Sequence, residues 1–354
     1  MPGHVNAHTH LYSGLASFGL PSPSPAPATF LDVLKRFWWR LDRALDEHML
    51  RASARHYVAG ALLHGTHTLV DHHESPCLVE GSLDIVADAC QELGIRAVVC
   101  YGATERNDGR AEARRGLAEC RRFIRDNRRP LVRGVVGLHA PFTVSDDTIR
   151  EAVDLCHELD TVLHVHAAED KCDVEDARRR GYKGVVDRLH RLGALVPGSI
   201  LAHGVHLTRD EVSLVGSVGC WLVHNPRSND QNRVGYAAAL GASPLVALGT
   251  DGFPSDMTAE YQAGVRLSTR SGESAAVIRD RLEAGTRMAA ERFGWNDDQV
   301  EIRRRNRSGP VEHLAIAGRV VVDNGELKTG DWSAISVEAA MQAARLSARM
   351  REML

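Results

Sequence analysis

Eight short apolar runs, each separated from the next by a stretch with helical spacing, constrain this 354-residue chain more than any other feature. The runs are HVNAH at 4–8, TLVDHH at 68–73, IRAVVCYGA at 95–103, VRGVVGLHA at 132–140, TVLHVHA at 161–167, SILAHGVHL at 199–207, CWLVHN at 220–225 and PLVALGTDG at 244–252. Between them lie helical stretches such as LDIVADACQELG at 83–94, SDDTIREAVDLCHELD at 145–160, where Ser145 can cap, and EDARRRGYKGVVDRLHRLG at 175–193. Strands that alternate with helices pair in parallel, and eight such units fit a closed (β/α)8 TIM barrel. An open doubly wound sheet is the alternative, but no G-x-G-x-x-G follows an early strand.

The proline-rich PSPSPAPATF at 21–30 reads as a loop leaving the first strand. After about residue 255 helical stretches run to 293, HLAIAGRVVVDNGELKTGD reads as a hairpin around Asp323, Asn324 and Gly325, and a last helix covers 333–351. We expect a barrel over 1–310 and a hairpin and helix over 311–354 that pack on it.

A net charge of −3, with 25% charged and 44% hydrophobic residues, gives no broad electrostatic bias and makes nucleic acid and membrane surfaces poor partners. Basic stretches such as RRFIRDNRRP at 121–130 and EIRRRNRSGP at 301–310 read as solvated faces. The seven cysteines are scattered, odd in number and never in a C-x-x-C pair, as expected of reduced thiols. Without a basic and apolar leader or a long apolar run, the expected location is the cytoplasm.

In such a barrel the reacting groups stand at the carboxyl ends of strands. His8 and His10, one residue apart, project to the same side of a strand roughly 7 Å apart, close enough to share an ion. Strand five carries His164, His166 and Glu169, strand six His203 and His206, strand seven the run from His224 to Asn229, and strand eight Asp251. His8, His10, His166 and Asp251 form a donor set suited to one zinc ion with a position left for water, and Glu169 can shuttle protons. Taken singly, His72, His73, His164 and His206 read as packed core histidines.

NAHTH, HVHAAE, AHGVHL and GTDG in this order resemble the amidohydrolase superfamily, specifically its aminohydrolase and chlorohydrolase branch with guanine and cytosine deaminases. FLDVLKRFWWRLDRALDE, LVDHHESP, VHNPRSNDQNRVGYA and LGTDGFPSDM are closer still to SsnA-type aminohydrolases. The resemblance implies one divalent metal, zinc or another such as Fe2+, on His8, His10, His166 and Asp251. It also implies that Glu169 protonates a ring nitrogen, His203 polarises the attacking oxygen or the substrate, and Asp251 takes the first proton from water. The expected reaction is hydrolytic deamination of a small N-heterocycle such as a purine, pyrimidine or pterin. Alternatives are hydrolysis of an amide, amidine or carbon–halide bond, and a catalytically silent metal-binding scaffold.

Expected substrate contacts are Trp39, Arg106, His139, Asn225 and Arg227, with Trp38, Arg40 and Asn229 nearby. At least one of the two adjacent tryptophans is expected in the core, because FWWRLDRALDE has helical apolar spacing. Members of the branch lead with half of a β-sandwich, whereas here Met1 directly precedes Pro2-Gly3. The expectation is therefore a barrel without that half, in which RVVVDNGE at 319–326 is an orphan edge that invites pairing into a homodimer.

Overall fold

The computed structural model describes residues 3–305 and 309–353; Met1, Pro2 and the middle of the basic stretch at 301–310 lie outside the described residues. Eight parallel strands form a closed ring. They are β1 (His4–Thr9), β2 (Thr66–Asp71), β3 (Arg96–Val99, continued by Gly102–Ala103), β4 (Val132–Gly134, continued by Val136–Leu138), β5 (Leu163–Ala167), β6 (Ile200–His203), β7 (Trp221–His224) and β8 (Val246–Leu248). Parallel pairing runs from each to the next, and the split halves of β3 and β4 keep one register, Ala97 opposite Val132 and Gly102 opposite Gly137. The ring closes where the His8 carbonyl accepts from the amides of Thr250 (2.9 Å) and Asp251 (3.0 Å). All eight expected strands are present.

The strands are apolar in runs because a parallel barrel is covered on both faces: every residue of β1 and β2 is buried. Ala7, Val70, Val98, Ile200, Val223 and Ala247 belong to one buried cluster with Met288 and Trp295. Outside lie helices that include α1 (Glu47–Leu63), α2 (Ser82–Leu93), α3 (Arg110–Asp126) and α4 (Asp146–Glu158), the last capped by Ser145 as expected. The single helix expected over 175–193 is instead two, α5 (Lys171–Arg179) and α6 (Val185–Arg191). Gly181 between them has φ +88°, a left-handed conformation that stops a helix.

Beyond the barrel the hairpin is part of a larger antiparallel sheet of β9 (Val300–Arg304), β10 (Val311–Ile316), β11 (Arg319–Asp323) and β12 (Glu326–Leu327). Two-residue turns at Ala317-Gly318 and Asn324-Gly325, all at positive φ, join β10 to β11 and β11 to β12. β11 is therefore paired on both sides, which corrects the orphan-edge expectation: β12 and β10 flank it. The last helix, Trp332–Glu352, packs on α1, where Arg55 joins Glu92 (2.9 Å) to Glu338 (3.0 Å). Among the described residues no helix is long and apolar enough to cross a membrane.

Candidate active site

The carboxyl ends of β1, β5, β6 and β8 bring His8, His10, His166, His203 and Asp251 together. Asp251 Oδ1 is 2.8 Å from His10 Nε2 and 3.4 Å from His8 Nε2, and His10 Nε2 is 3.2 Å from His166 Nε2. Ligand atoms of His8, His166, His203 and Asp251 all lie within 4.8 Å of one another. Three backbone positions here are left-handed without being glycine: Ala168, just before Glu169 (φ +51°), His203 (φ +77°) and Asp251 (φ +53°). Each costs about 1–3 kcal/mol, which surrounding packing offsets, and each turns the chain sharply at a strand end.

Backbone carbonyls set the imidazole tautomers. His10 Nδ1 donates to the His72 carbonyl and His166 Nδ1 to the His139 carbonyl, each at 2.6 Å. Because a carbonyl only accepts, the proton is fixed on Nδ1 and Nε2 is turned to the centre. His8 Nδ1 shares a 2.9 Å hydrogen bond with His164 Nε2, and His8 Nε2 is buried with no hydrogen-bond partner. Burial drives the His8 imidazole down to about 3 and His166 well below its usual value, so both are neutral, as metal ligands must be. Burial also pulls His10 down, but the hydrogen bond and charge of Asp251 outweigh it and raise His10 to about 9. The cluster thus favours a positive charge beside the carboxylate. The neutral imidazoles of His8 and His166, the orphaned His8 Nε2 and an ionised carboxylate fit a divalent metal, which would take the place of the proton that His10 Nε2 shares with Asp251; His8, His10, His166 and Asp251 could hold it.

The groups around this centre are poised for proton transfer. Ser228 donates to Asp251 Oδ2, and Asn232 Nδ2 reaches Glu169 Oε1 at 3.4 Å. Burial, then the nearby Asp251 charge, pushes the Glu169 carboxyl well above its usual range, which favours its protonated form. His203 Nδ1 donates to Asn229 Oδ1 (2.9 Å), and its buried, unpartnered Nε2 is 3.6 Å from Glu169 Oε2. Burial lowers its pKa.

A cavity of about 600 Å3, open solvent at its mouth included, opens onto these groups. Phe30, Leu34 and Trp38, four residues apart on the helical turns after the proline loop, form one apolar wall with Phe142. Leu34–Trp38 is a π-helical turn, a local widening that often accompanies a functional site. Glu74 and His139 form another wall.

Of the expected substrate contacts, His139 lines the cavity, whereas Trp39, Arg106, Asn225 and Arg227 are not among its lining residues. Arg106 stands behind the wall, where its Nη2 donates to Asp42 (2.8 Å) and Glu74 (3.2 Å) and its guanidinium lies 4.8 Å over Trp39. Asn225 is fully buried. Arg227 turns away to Glu260 and the Pro254 carbonyl, over the Phe253 ring. Both tryptophans are half-buried. His72 and His164 are buried and braced, His72 Nε2 by the Leu138 carbonyl at 3.0 Å.

Sequence reasoning missed Glu74, Asp42, Ser228 and Asn232. Glu74 was visible in LVDHHESP, one residue past two histidines, but nothing in the motif tied it to Arg106 or His139. Burial opposes its ionisation, yet the adjacent His139, Arg106 and His72 hold its carboxyl well below the usual range. Asp42, beside it, is raised by burial to about 6.

A model of the amidohydrolase family matches residues 1–300. The 5'-deoxyadenosine deaminase of Methanopyrus kandleri is 28% identical over 97% of this chain and 86% of its own length. The 8-oxoguanine deaminase of Pseudomonas aeruginosa is also 28% identical, over 72% of this chain and 60% of its own. Among solved structures, a zinc-bound adenosine deaminase from Xanthomonas campestris has the same fold, with a TM-score of 0.80 and 24% identity over 98% of this chain and 85% of that one.

Proposed function

The chain belongs to the amidohydrolase family and is a hydrolase acting on C–N bonds, and from that premise we propose a zinc-dependent aminohydrolase that releases ammonia from an N-heterocycle. The observation that carries the reading is the placement of Glu169, a buried carboxyl 3.6 Å from His203 Nε2 beside the cluster of histidines and Asp251, where burial raises its pKa while the neighbouring imidazoles hold Asp251 low. Two carboxyls whose surroundings push their pKa values apart are what a proton-shuttling hydrolysis needs.

A zinc ion on His8, His10, His166 and Asp251 would supply a water that ionises near pH 7 instead of about 15.7. Asp251 takes the proton from the attacking water. Glu169 gives its own to a ring nitrogen beside the reacting carbon, which makes that carbon more electrophilic. His203, held at Nδ1 by Asn229, has its unpartnered Nε2 beside Glu169, free to polarise the attacking oxygen or the substrate. Transfer of the Asp251 proton to the amine, directly or through Glu169, lets ammonia leave, and the remaining hydroxyl proton passes to the Glu169 carboxylate as the carbonyl forms, which restores Glu169. The M. kandleri and P. aeruginosa relatives, named for 5'-deoxyadenosine and 8-oxoguanine, make purines the first substrates to try.

The same reading places the protein in the cytoplasm as a homodimer. Seven free cysteines suit a reducing compartment, and the exposed Val337 and Met341 on the last helix offer an apolar face to a second copy. Sedimentation at two concentrations tests the dimer.

The activity test is ammonia release by the zinc-loaded protein from amino-substituted heterocycles, with Glu169→Gln as its pair. Release that falls by about 10²–10⁴ in the variant, with zinc retained, supports the proposal. No release from any heterocycle, or equal release by the variant, sinks it.

A further inference from the structure

The walls of the cavity are unbalanced in charge. Glu74, Glu169, Asp170, Asp173 and Asp251 line it, and among its described lining residues there is no lysine or arginine. The Arg106 guanidinium stands behind Glu74 and is shared with Asp42, so one cation serves two buried carboxylates. Apart from His10, whose Nε2 is already taken up by Asp251 at 2.8 Å, an anionic substituent inside this cavity would meet no counter-charge from its described lining residues.

Glu74 is also close to the reacting centre. Its carboxylate and ring nitrogens of His139 and His166 lie within 4.8 Å of one another. It faces the same cavity as Glu169, and with Arg106 Nη2 donating to its Oε2 at 3.2 Å from behind the wall it stands as an acceptor. An ionised carboxylate only accepts, while a protonated one donates.

We propose that Glu74 selects the substrate: the cavity takes an uncharged or cationic planar N-heterocycle that presents an N–H edge (a ring N–H, an exocyclic amine or an amidinium) to Glu74 and an acceptor nitrogen to Glu169. The Glu169 half rests on the deaminase reading; the Glu74 half stands on the wall's own geometry. Phe30, Trp38 and Phe142 supply the apolar faces for the ring, and neither phosphate nor carboxylate enters with it.

Two inert probes of nearly equal shape isolate the Glu74 half. Benzamidine is a planar cation with N–H donors on both nitrogens, and benzamide is its neutral counterpart. Titration calorimetry on the zinc-loaded full chain at neutral pH should show benzamidine binding at least tenfold more tightly. In Glu74→Gln that preference should fall by about ten- to a hundredfold, the loss of one hydrogen bond to a charged group. Failure of benzamidine to bind, equal affinity for the two probes, or an undiminished preference in Glu74→Gln overturns the inference. Should the variant not fold, the comparison of probes on the unaltered protein decides. Ammonia release is not the readout, so a protein that deaminates nothing yet binds benzamidine through Glu74 would sink the deaminase reading alone.

Discussion

Replacing Arg106 by methionine should destabilise the protein strongly at neutral pH and far less in mild acid. Arg106 is 5% exposed at its side chain, Asp42 1% and Glu74 3%, and a single Nη2 lies 2.8 Å from one carboxylate and 3.2 Å from the other. Each contact is worth about 4 kcal/mol of attraction at an effective dielectric constant near 20, most of it offset by desolvation. Methionine fills similar volume but leaves two carboxylates buried without a cation, a loss of about 3–5 kcal/mol. Stacking on Trp39 adds about 0.5–2 kcal/mol more. The sign of the pH effect follows from linkage. Without Arg106 the Asp42 carboxyl, already raised by burial, loses the cation that opposed that rise, so the variant is most stable when Asp42 holds a proton and loses stability as pH rises, while Glu74 keeps His139 and His72 beside it. Asp42 already titrates near 6 with Arg106 present, because burial raises it. Urea unfolding of the variant and the unaltered protein at pH 7.5 and 5.5 measures the difference. A loss below about 1 kcal/mol at pH 7.5, or the same loss at both pH values, refutes the reasoning.

Three further outcomes are expected. Trp38→Ala should raise KM with a much smaller change in kcat, because the ring walls the cavity away from the proton-transfer groups; equal KM for the variant would contradict this placement. Asp46→Ala should cost about 1–2 kcal/mol, since Asp46 caps α1 at Met49 and pairs with Arg345 of the last helix at 2.9 Å; differential scanning calorimetry that finds no shift would contradict it. Burial holds His4 near 4 and His67 and His73 near 3, so unfolded imidazoles bind protons that folded ones refuse, and stability present above pH 6.5 is lost as pH falls toward 4. Asp71 and Asp173, both raised by burial to about 7, work the other way, but the buried histidines outnumber such carboxyls. A thermal midpoint unchanged between pH 7.5 and 5 would show that balance to be wrong.

The barrel was legible because its strands are covered on both faces and so read as apolar runs, with the polar residues left at their carboxyl ends. His8, His10, His166, His203 and Asp251 stand at those ends, which is why local sequence located them. The region after β7 shows where such reading stops. HNPRSNDQN invites an extended reading, but Pro226–Gln231 is helical. Helical spacing turns Ser228 and Asn232, four residues apart, toward Asp251 and Glu169, and sends Arg227 to Glu260. The Asp42, Glu74 and Arg106 cluster was hidden for a different reason. Its members come from three separate connections, and charges in RLDRALDE look like a solvated helix face until tertiary packing buries one of them.

The central claim is that one cluster of imidazoles and a carboxylate holds the metal for hydrolysis. Zinc content after exhaustive dialysis, measured for the unaltered protein beside Asp251→Asn and His166→Gln, tests it most directly. About one zinc per chain, lost or sharply reduced in both variants, is the predicted result. A protein that retains no zinc, or variants that retain as much as the unaltered chain, would contradict it.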